Sequence, residues 1–256
     1  MKELDVAILG AGTAGLSARR EVAKVTSNYL VFDGGKLGTT CARAGCMPSK
    51  VLIQVANDFH VRTKLQRRGI SGGDHLAVDG GALMSHVRSL RDRFVRAVVD
   101  SMESWQETHL VRHHARLVDP HTIEAGGERY RARRIIIATG SRPTRSRAWQ
   151  DAAALLSDSD DVFEWPTLPR FVAVIGLGVI GVELGQALAR LGTQVIGISL
   201  DKAIGGLSDP EIQDYAVRAL EKEFPIDTTG VRNLTVKHGK LRIETDKDTY
   251  LSLIHI

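Results

Sequence analysis

The sequence has little sulfur, few aromatic residues and no long apolar run. Its 256 residues include two cysteines, four methionines and seven prolines, and 5% of them are aromatic. No uncharged apolar run is long enough to cross a bilayer, which excludes a simple transmembrane helix. A strand pattern begins within a few residues of Met1 and leaves no room for a secretory signal peptide, so we expect a cytoplasmic protein. In that compartment two cysteines are more often a catalytic or redox pair than a structural cross-link.

Long tracts of one charge are also missing. Lys and Arg total 34 against 30 Asp and Glu, a formal net charge of +4. The densest basic groups, residues 91–93 and 131–134, are short, as expected of a solvated surface rather than a phosphate track. We therefore expect neither nucleic acid nor a membrane as partner. The remaining composition, 43% apolar with 25 glycines, indicates a globular α/β protein of one large domain or two ordinary ones.

A glycine motif, G-x-G-x-x-G, occurs twice, each time between an apolar run and a helix pattern that leads to a second apolar run. The motif glycines are Gly10, Gly12 and Gly15 in the first copy and Gly176, Gly178 and Gly181 in the second. In such units the first glycine makes a tight turn, the second lets the backbone approach a pyrophosphate, and the third permits close packing of helix on strand. Two copies in this context predict two dinucleotide sites.

An acidic residue about 20 positions after such a motif can accept hydrogen bonds from a ribose. Asp33 occupies this place in the first unit, whereas Ser199 occupies it in the second. No arginine follows at Leu200, and Asp201 and Lys202 are out of register. The first unit therefore has the adenosine anchor, and the choice between NADH and NADPH stays open for the second.

The segment between the two motifs predicts one helix and a β-meander. Residues 86–106 have amphipathic helical spacing, with four apolar side chains on one side: Val87, Leu90, Phe94 and Val98. Residues 109–143 alternate as β-hairpins do, with turn signals at 119–120 and 126–127, and end in a buried strand that feeds the turn 138–140. Residues 147–170 are typical of an interdomain linker with one short helix.

The two cysteines, Cys41 and Cys46, allow several interpretations. Both could be small buried hydrophobic residues. A metal site would need a companion pair of ligands, and the adjacent His113 and His114 do not supply it, because neighbouring side chains in a strand point to opposite faces. We therefore expect no metal.

A disulfide between Cys41 and Cys46 requires an irregular backbone. Five residues of regular helix rise roughly 7.5 Å, beyond the ~7 Å Cα separation that a bridge tolerates. Gly45 and Pro48 are the residues that would make the chain irregular. A bridge across so short a loop stabilises little, so its purpose would be thiol exchange.

The stretches GTTCARAGCMPSK, ATGSRP and VIGLGVIGVELGQAL, together with the upstream GAGTAG, resemble the flavin-dependent pyridine nucleotide–disulfide oxidoreductases over roughly residues 4–245. The resemblance implies two Rossmann-like FAD- and NAD(P)-binding domains with parallel sheets, of the three-layer β-β-α type. The implied FAD-binding segment is 1–146, followed by a linker at 147–170 and an incomplete NAD(P)-binding domain at 171–250.

The resemblance also assigns roles to residues. The first glycine motif and Asp33 would bind the ADP part of FAD, and four residues would line the flavin site: Thr40, Ala115, Thr139 and Gly140. Cys46 would be the charge-transfer thiol beside the flavin, and Cys41 the interchange thiol that meets the substrate. The second glycine motif would hold NAD(P)H. Lys50 and Glu183 would form the pair beside the flavin N5; the alternatives are a solvated lysine and a glutamate paired within its own helix.

Within the family, the chain is most similar to dihydrolipoamide dehydrogenases. The implied function is electron transfer between NAD(P)H and a small-molecule or lipoyl-protein dithiol or disulfide through FAD and a Cys41–Cys46 disulfide. A glutathione or mercuric reductase type is an alternative, because residues 37–39 and Arg43 depart from the family pattern of a paired glycine and an asparagine.

Family members continue past this length, so the resemblance implies a C-terminally truncated chain whose complete form is a homodimer. The absent dimerisation domain would carry the His–Glu pair that acts as acid and base. Residues 251–256 are interpreted as a non-native tail, which removes His255 as a candidate base. An inactive nucleotide-binding fragment and a nucleotide-binding regulator without thiol chemistry are the remaining alternatives.

Overall fold

The computed structural model describes residues 1–252 and 254–255, which form a mixed α/β protein. The α-helices are α1 (Thr13–Val22), α2 (Thr40–Ala44), α3 (Cys46–His60), α4 (Arg62–Leu65), α5 (Gly80–Asp100), α6 (Glu103–His109), α7 (Val179–Arg190) and α8 (Pro210–Leu220). Short 3-10 helices cover Gln66–Arg68, Gly73–His75, Arg147–Leu155, Asp161–Glu164 and Ile204–Gly206. None of these helices is both long and apolar enough to span a membrane.

The strands form one six-stranded, one four-stranded and one three-stranded sheet. They are β1 (Lys2–Leu9), β2 (Tyr29–Phe32), β3 (Leu110–Val111), β4 (Ala115–Leu117), β5 (Thr122–Ala125), β6 (Glu128–Ile137), β7 (Phe171–Ile175), β8 (Gln194–Ile198), β9 (Ile226–Asp227), β10 (Asn233–Lys237), β11 (Lys240–Glu244), β12 (Thr249–Ser252) and β13 (Ile254–His255).

The chain divides into two compact units. The first comprises Met1–Met47 and Arg91–Arg142, and the second Pro48–Leu90 and Pro143–Ile256. Compactness therefore groups residues 48–90 with the second unit, whereas the sequence assigns them to a domain that ends at residue 146. The functional domain boundaries stay a prediction.

The first unit is built on the sheet β3-β2-β1-β6-β5-β4, in which the first four strands are parallel and the last two antiparallel. One core cluster contains Val6 of β1 and Trp105 of α6, so helices cover that face. A second cluster joins Leu9 and Phe32 of the parallel strands to Ile123 of β5. The predicted β-meander is confirmed, and its strands pack over the other face of the parallel strands. The prediction that it ends in a buried strand is wrong, because Ile135 and Ile136 at the end of β6 are half-buried and Ile137 is 66% exposed.

The second unit contains the parallel sheet β13-β7-β8-β9 and the antiparallel sheet β10-β11-β12. Val174 of β7 packs in one cluster with Leu184 of α7. On the opposite face Ala173 of β7 packs with Leu241 and Ile243 of the antiparallel sheet. The order helix, parallel sheet, antiparallel sheet is the predicted three-layer β-β-α arrangement.

The long helix α5 differs from the predicted helix 86–106. It begins at Gly80 because the side chain of Asp79 accepts a hydrogen bond from the N–H of Ala82 at 2.9 Å, as an N-cap does. It ends at Asp100, and α6 follows as a separate helix. The buried side chains of α5 lie in its first half, at Leu83, Met84 and Val87, whereas Leu90, Phe94 and Val98 are half-buried.

Two further predictions concern the linker and the tail. The linker at 147–170 contains two 3-10 segments rather than one short helix. Of the tail at 251–256, residues 253 and 256 lie outside the described residues, Leu251 belongs to β12, and Ile254–His255 form β13 beside β7. That this tail is non-native stays a prediction.

Candidate functional site

The first glycine turn joins β1 to α1, and each of its glycines has a different reason to be glycine. Gly10 has φ +107°, a left-handed conformation, and a Cβ on it would lie 2.2 Å from the carbonyl oxygen of Ala138. A Cβ on Gly15 would lie 1.8 Å from the carbonyl oxygen of Gly10, whereas a Cβ on Gly12 would meet nothing within 4 Å. The first and third glycines are therefore needed for packing, and the second faces open space.

The turn at 138–140 lies against this glycine turn. The N–H of Ala138 donates to the carbonyl oxygen of Leu9 at 2.8 Å, directly after β6. Thr139 and Gly140 follow and are exposed. Gly12 is the N-cap residue of α1 and no side chain caps that helix, so its first N–H groups and positive dipole end are available to an anion.

Asp33 lies directly after β2, beside the same turn. Its carboxylate accepts the N–H of Ala11 at 2.7 Å and the N–H of Gly35 at 2.8 Å. Arg112, which the sequence did not single out, donates to the carbonyl oxygen of Asp33 at 2.8 Å and lies 4.0 Å from its carboxylate. The Asp33 side chain is one-fifth exposed. Because a carboxylate has about four lone-pair sites, capacity remains for ribose hydroxyls.

Ala115 and Thr40 are also in the first unit. Ala115 begins β4, and the backbone of its neighbour His114 passes so close to Gly34 that a Cβ there would lie 2.4 Å from the His114 nitrogen. Ala115 is thereby brought next to the Asp33 loop. Thr40 is the exposed first residue of α2.

The redox-loop helices α2 and α3 are separated by the single residue Gly45, with φ −129° and ψ −124°. A Cβ on Gly45 would lie 3.1 Å from the carbonyl oxygen of Thr40. Before α2, Thr39 adopts φ +59°, and its hydroxyl caps the helix by accepting an N–H at 3.1 Å. The chain is therefore irregular between Cys41 and Cys46, as the sequence predicts for Gly45, whereas Pro48 lies within the first turn of α3.

The two cysteine thiols lie in hydrogen-bonding contact across this break, and they are not joined by a disulfide in the structure. Cys41 is half-buried and Cys46 is exposed. The hydrogen bond with the Cys46 side chain, followed by burial, raises the pKa of the Cys41 thiol, while the N–H groups of Cys46 and Met47 oppose the shift. Cys41 is thus a neutral thiol at neutral pH. The redox disulfide itself stays a prediction.

Arg43, between the cysteines, stands where the family pattern has asparagine. Its Nε is buried and has no hydrogen-bond partner in the part of the chain that the structure describes. A Cβ on Gly38, which has φ +109°, would lie 3.5 Å from the Arg43 Cγ. The side chain therefore packs along the loop that precedes α2.

The second glycine turn repeats the geometry of the first. Gly176 has φ +102°, and a Cβ on Gly181 would lie 2.0 Å from its carbonyl oxygen, whereas a Cβ on Gly178 would meet nothing within 4 Å. No side chain caps α7. A cavity of about 210 Å³ opens beside this turn, and its lining includes Ile180 and Arg145.

Ser199 lies directly after β8, where the sequence placed it. Its N–H donates to the carbonyl oxygen of Asp227 at 2.8 Å. Leu200 is 86% exposed, and the ammonium of Lys202 is held by Asp214 at 2.9 Å. Asp227, which the sequence did not single out, is fully buried and accepts hydrogen bonds from hydroxyl groups around it.

Lys50 and Glu183 meet in the second unit. The Lys50 Nζ donates to the Glu183 Oε1 at 2.6 Å, which joins α3 to α7. Their side chains are 58% and 39% exposed. The pair is therefore formed between two helices, and Glu183 is not merely paired within α7.

The glycine turns, the thiol pair and the Lys50–Glu183 contact lie in a stretch of chain that matches a known protein family. Residues 4–251 match the model of the pyridine nucleotide-disulphide oxidoreductase family. The chain belongs to this family. Members of the pyridine nucleotide-disulphide oxidoreductases use FAD and NAD(P)H. The open faces of Gly12 and Gly178, each at an uncapped helix, leave the space that such dinucleotides need.

Relatives within the pyridine nucleotide-disulphide oxidoreductases are similar at modest identity. A dihydrolipoyl dehydrogenase of Cupriavidus necator is 28% identical over 96% of this chain and 55% of its own length. A soluble pyridine nucleotide transhydrogenase of Mycobacterium bovis is 29% identical over 83% of this chain and 47% of its own. The chain spans about half the length of the curated relatives it matches.

Among solved structures, the HOCl-induced flavoprotein disulfide reductase RclA from Escherichia coli has a similar fold. Its TM-score is 0.79 at 17% identity, and the match covers 98% of this chain and 55% of that one. The likeness confirms the predicted fold of the two units.

Substitution of the second and third glycines should separate cofactor binding from folding. Gly12→Ala places a methyl group in open space and should change the free energy of unfolding by less than about 1 kcal/mol, yet weaken FAD binding about tenfold or more. Gly15→Ala should cost about 1–3 kcal/mol or more, because the backbone must move. Urea unfolding and flavin fluorescence titration measure the two effects. Equal FAD affinity of Gly12→Ala and the unsubstituted chain would contradict the assignment.

Removal of the Cys46 thiol should lower the pKa of Cys41, since contact with Cys46 is the main reason why that pKa is raised. In the reduced chain, Cys46→Ala should shift the pH profile of Cys41 alkylation by iodoacetamide to lower pH. Mass spectrometry of the peptide that contains Cys41 gives the profile. Met47→Leu keeps the backbone N–H group and is the matched control; a profile that is the same in all three proteins would refute the contact.

Proposed function

We propose that this chain forms the FAD-binding and NAD(P)-binding part of a disulfide oxidoreductase of the dihydrolipoyl dehydrogenase type. The observation that carries the proposal is the contact of the Cys41 and Cys46 thiols across the break at Gly45. A thiol pair held this way can close to a disulfide without moving either helix far. The relatedness to dihydrolipoyl dehydrogenases supports the same substrate class, a small-molecule or lipoyl-protein dithiol.

FAD is assigned to the first unit and NAD(P)H to the second. Asp33 would orient the adenosine ribose of FAD, and the residues that line its ring site would be Thr40, Ala115, Thr139 and Gly140. Bound FAD supplies two-electron exchange with a nicotinamide and with a thiol pair. Lys50 would place its cation near the flavin N5, and Glu183 would be the carboxylate paired with that cation, at 2.6 Å.

The thiol step balances within the protein and its substrate. One thiolate of the substrate would attack the Cys41 sulfur of the oxidised pair, and the Cys41–Cys46 bond would break with the electron pair on Cys46. The second substrate thiol would then displace Cys41, which leaves a substrate disulfide and two protein thiols. Because the pKa of Cys41 is raised, its sulfur leaves readily only if it gains a proton, so the step needs an acid–base group that takes the proton of the substrate thiol and gives it to Cys41. We propose that a further domain of a homodimeric complete protein supplies it.

A pyridine nucleotide transhydrogenase is the second candidate, because relatives with that name are 29% identical to this chain. Hydride transfer between two nucleotides needs no thiol, so the two functions differ in whether the cysteines take up electrons. A glutathione or mercuric reductase type differs only in substrate and shares the thiol chemistry.

Reductive titration distinguishes these functions without requiring turnover. The chain with FAD bound should take up two more electrons than Cys46→Ser, since the disulfide is a two-electron couple. Cys41→Ser should show the same loss, while both variants keep their flavin. Anaerobic dithionite titration followed at flavin absorbance gives the count. Equal electron uptake in all three proteins would favour the transhydrogenase, and a chain that binds no flavin would leave only a fragment without turnover.

Nucleotide preference should favour NADH. A 2′-phosphate needs a cation at the end of β8, yet Ser199 and Leu200 supply none, and Lys202 is out of register and pairs with Asp214. We expect NADH to bind more tightly than NADPH and Ser199→Arg to reverse the order, as measured by nucleotide fluorescence titration. Ser199→Ala is the control that adds no charge. Tighter NADPH binding by the unsubstituted chain would contradict this assignment.

A further inference from the structure

The Lys50–Glu183 pair is too exposed to hold its own geometry. Exposed ion pairs contribute about 0–1 kcal/mol, because solvent screens the charges and both side chains lose conformational freedom. With 58% and 39% of the two side chains exposed, this bond does not fix where the lysine nitrogen lies. The position of Lys50 therefore depends on what holds α3 against α7.

A second polar contact joins the same two helices further along. Nη1 of Arg190, the last residue of α7, donates to the Asn57 Oδ1 of α3 at 2.5 Å. The residues of this pair are 133 apart in sequence, as are Lys50 and Glu183. Both helices thus advance by the same number of residues between the two contacts, about two turns. The helices lie parallel and in register.

Arg190 is itself fixed by a carboxylate from outside the two helices. Its Nε and Nη2 each donate to Glu223 at 2.6 Å, and the side chains of both residues are only 20% exposed. Gln186 donates to the same carboxylate at 2.7 Å. A bidentate pair of this kind allows one orientation of the guanidinium, which leaves Nη1 directed at α3.

The apolar contacts between the helices do not specify register as narrowly. Leu52 and Ala56 of α3 share a core cluster with Leu184 and Leu188 of α7. Close packing of these side chains brings the two helices together. The hydrogen bond at Asn57 adds a distance and an angle that must also be met, so it narrows the registers that packing allows.

The cluster also stays charged over the neutral range. The hydrogen bond from Arg190 is the largest influence on Glu223 and holds the pKa of that carboxyl below its ordinary value. Burial and the charge of Arg190 lower the pKa of the neighbouring His60, and Lys64 and Arg62 lower it further, against the opposing charge of Glu223. The bidentate pair therefore persists at the pH at which the protein would work.

We propose that Arg190, oriented by Glu223, is a positioning residue that fixes the register of α3 on α7 through Asn57 and thereby places the Lys50 ammonium. This inference rests on the proposed function, because it gives Lys50 its role beside the flavin. Arg190 would act through Lys50 and would not itself touch the cofactor.

The flavin midpoint potential of the FAD-loaded chain tests the proposal, since a cation near N5 favours the reduced ring. Arg190→Met and Asn57→Ala should both lower the potential, as Lys50→Met should, by a threefold to tenfold change in the reduced-to-oxidised ratio; tenfold corresponds to ~30 mV. Arg190→Lys should recover part of the shift. Arg190→Met should add little in the Lys50→Met background, because both act through the same lysine.

Arg88→Met is the matched control. Arg88 is a part-buried arginine of the second unit that donates to the carbonyl oxygen of Trp165, so its loss should reduce stability without moving the potential. A purely structural Arg190 would behave like Arg88, and a shift that adds fully to that of Lys50→Met would equally overturn the proposal. Asn57→Ala keeps the Arg190–Glu223 pair and covers the case in which Arg190→Met does not fold.

Hydrogen exchange separates this proposal from the proposed function. Arg190→Met and Asn57→Ala should increase amide exchange in α3 more than in α8, whether or not flavin is bound. A chain that binds no FAD but shows this pattern would reject the proposed function and keep the register role. Uniform exchange changes over both helices would reject the register role.

Discussion

The close approach of helix to strand at the two glycine turns is the constraint on which the arrangement of this chain depends. In each turn a Cβ on the third glycine would almost coincide with the carbonyl oxygen of the first glycine. The distance between these two atoms would be 1.8 Å in the first turn and 2.0 Å in the second. Only glycine permits this contact, and it aims the uncapped start of each helix at the open side of the turn. The turn after β6 lies against the first of these glycine turns.

Much of this could be read from the sequence, because the signals are local. The glycine turns, Asp33 after β2 and the meander turns at 119–120 and 126–127 each depend on residues within a short window. The irregular backbone between the cysteines could also be predicted, because a regular helix would hold Cys41 and Cys46 too far apart. The contact between Lys50 and Glu183 came only from the family resemblance, since nothing local connects two helices so distant in sequence.

Other features could not be predicted for physical reasons. The start of α5 depends on a cap at Asp79 that lies before the amphipathic pattern, so periodicity alone placed it too late. Residues 48–90 join the second unit because Leu52, Ala56 and the first half of α5 bury their side chains in its core, which no local signal shows. The Arg190, Asn57 and Glu223 contacts join three separate segments and were missed for the same reason.

Thr39 has a consequence for how this loop tolerates change. It holds φ +59° and ψ +151°, a region that is essentially restricted to glycine, and it follows Gly38 in the stretch 37–39, where the family pattern has a paired glycine. A β-branched residue there costs about 1–3 kcal/mol of strain, and its hydroxyl offsets part of that cost by capping α2. Substitution at this position is therefore not equally tolerated in both directions. Glycine can replace Thr39 without a change of backbone conformation. Threonine can replace a glycine in this conformation only where its hydroxyl can accept a hydrogen bond from the N-terminus of a helix.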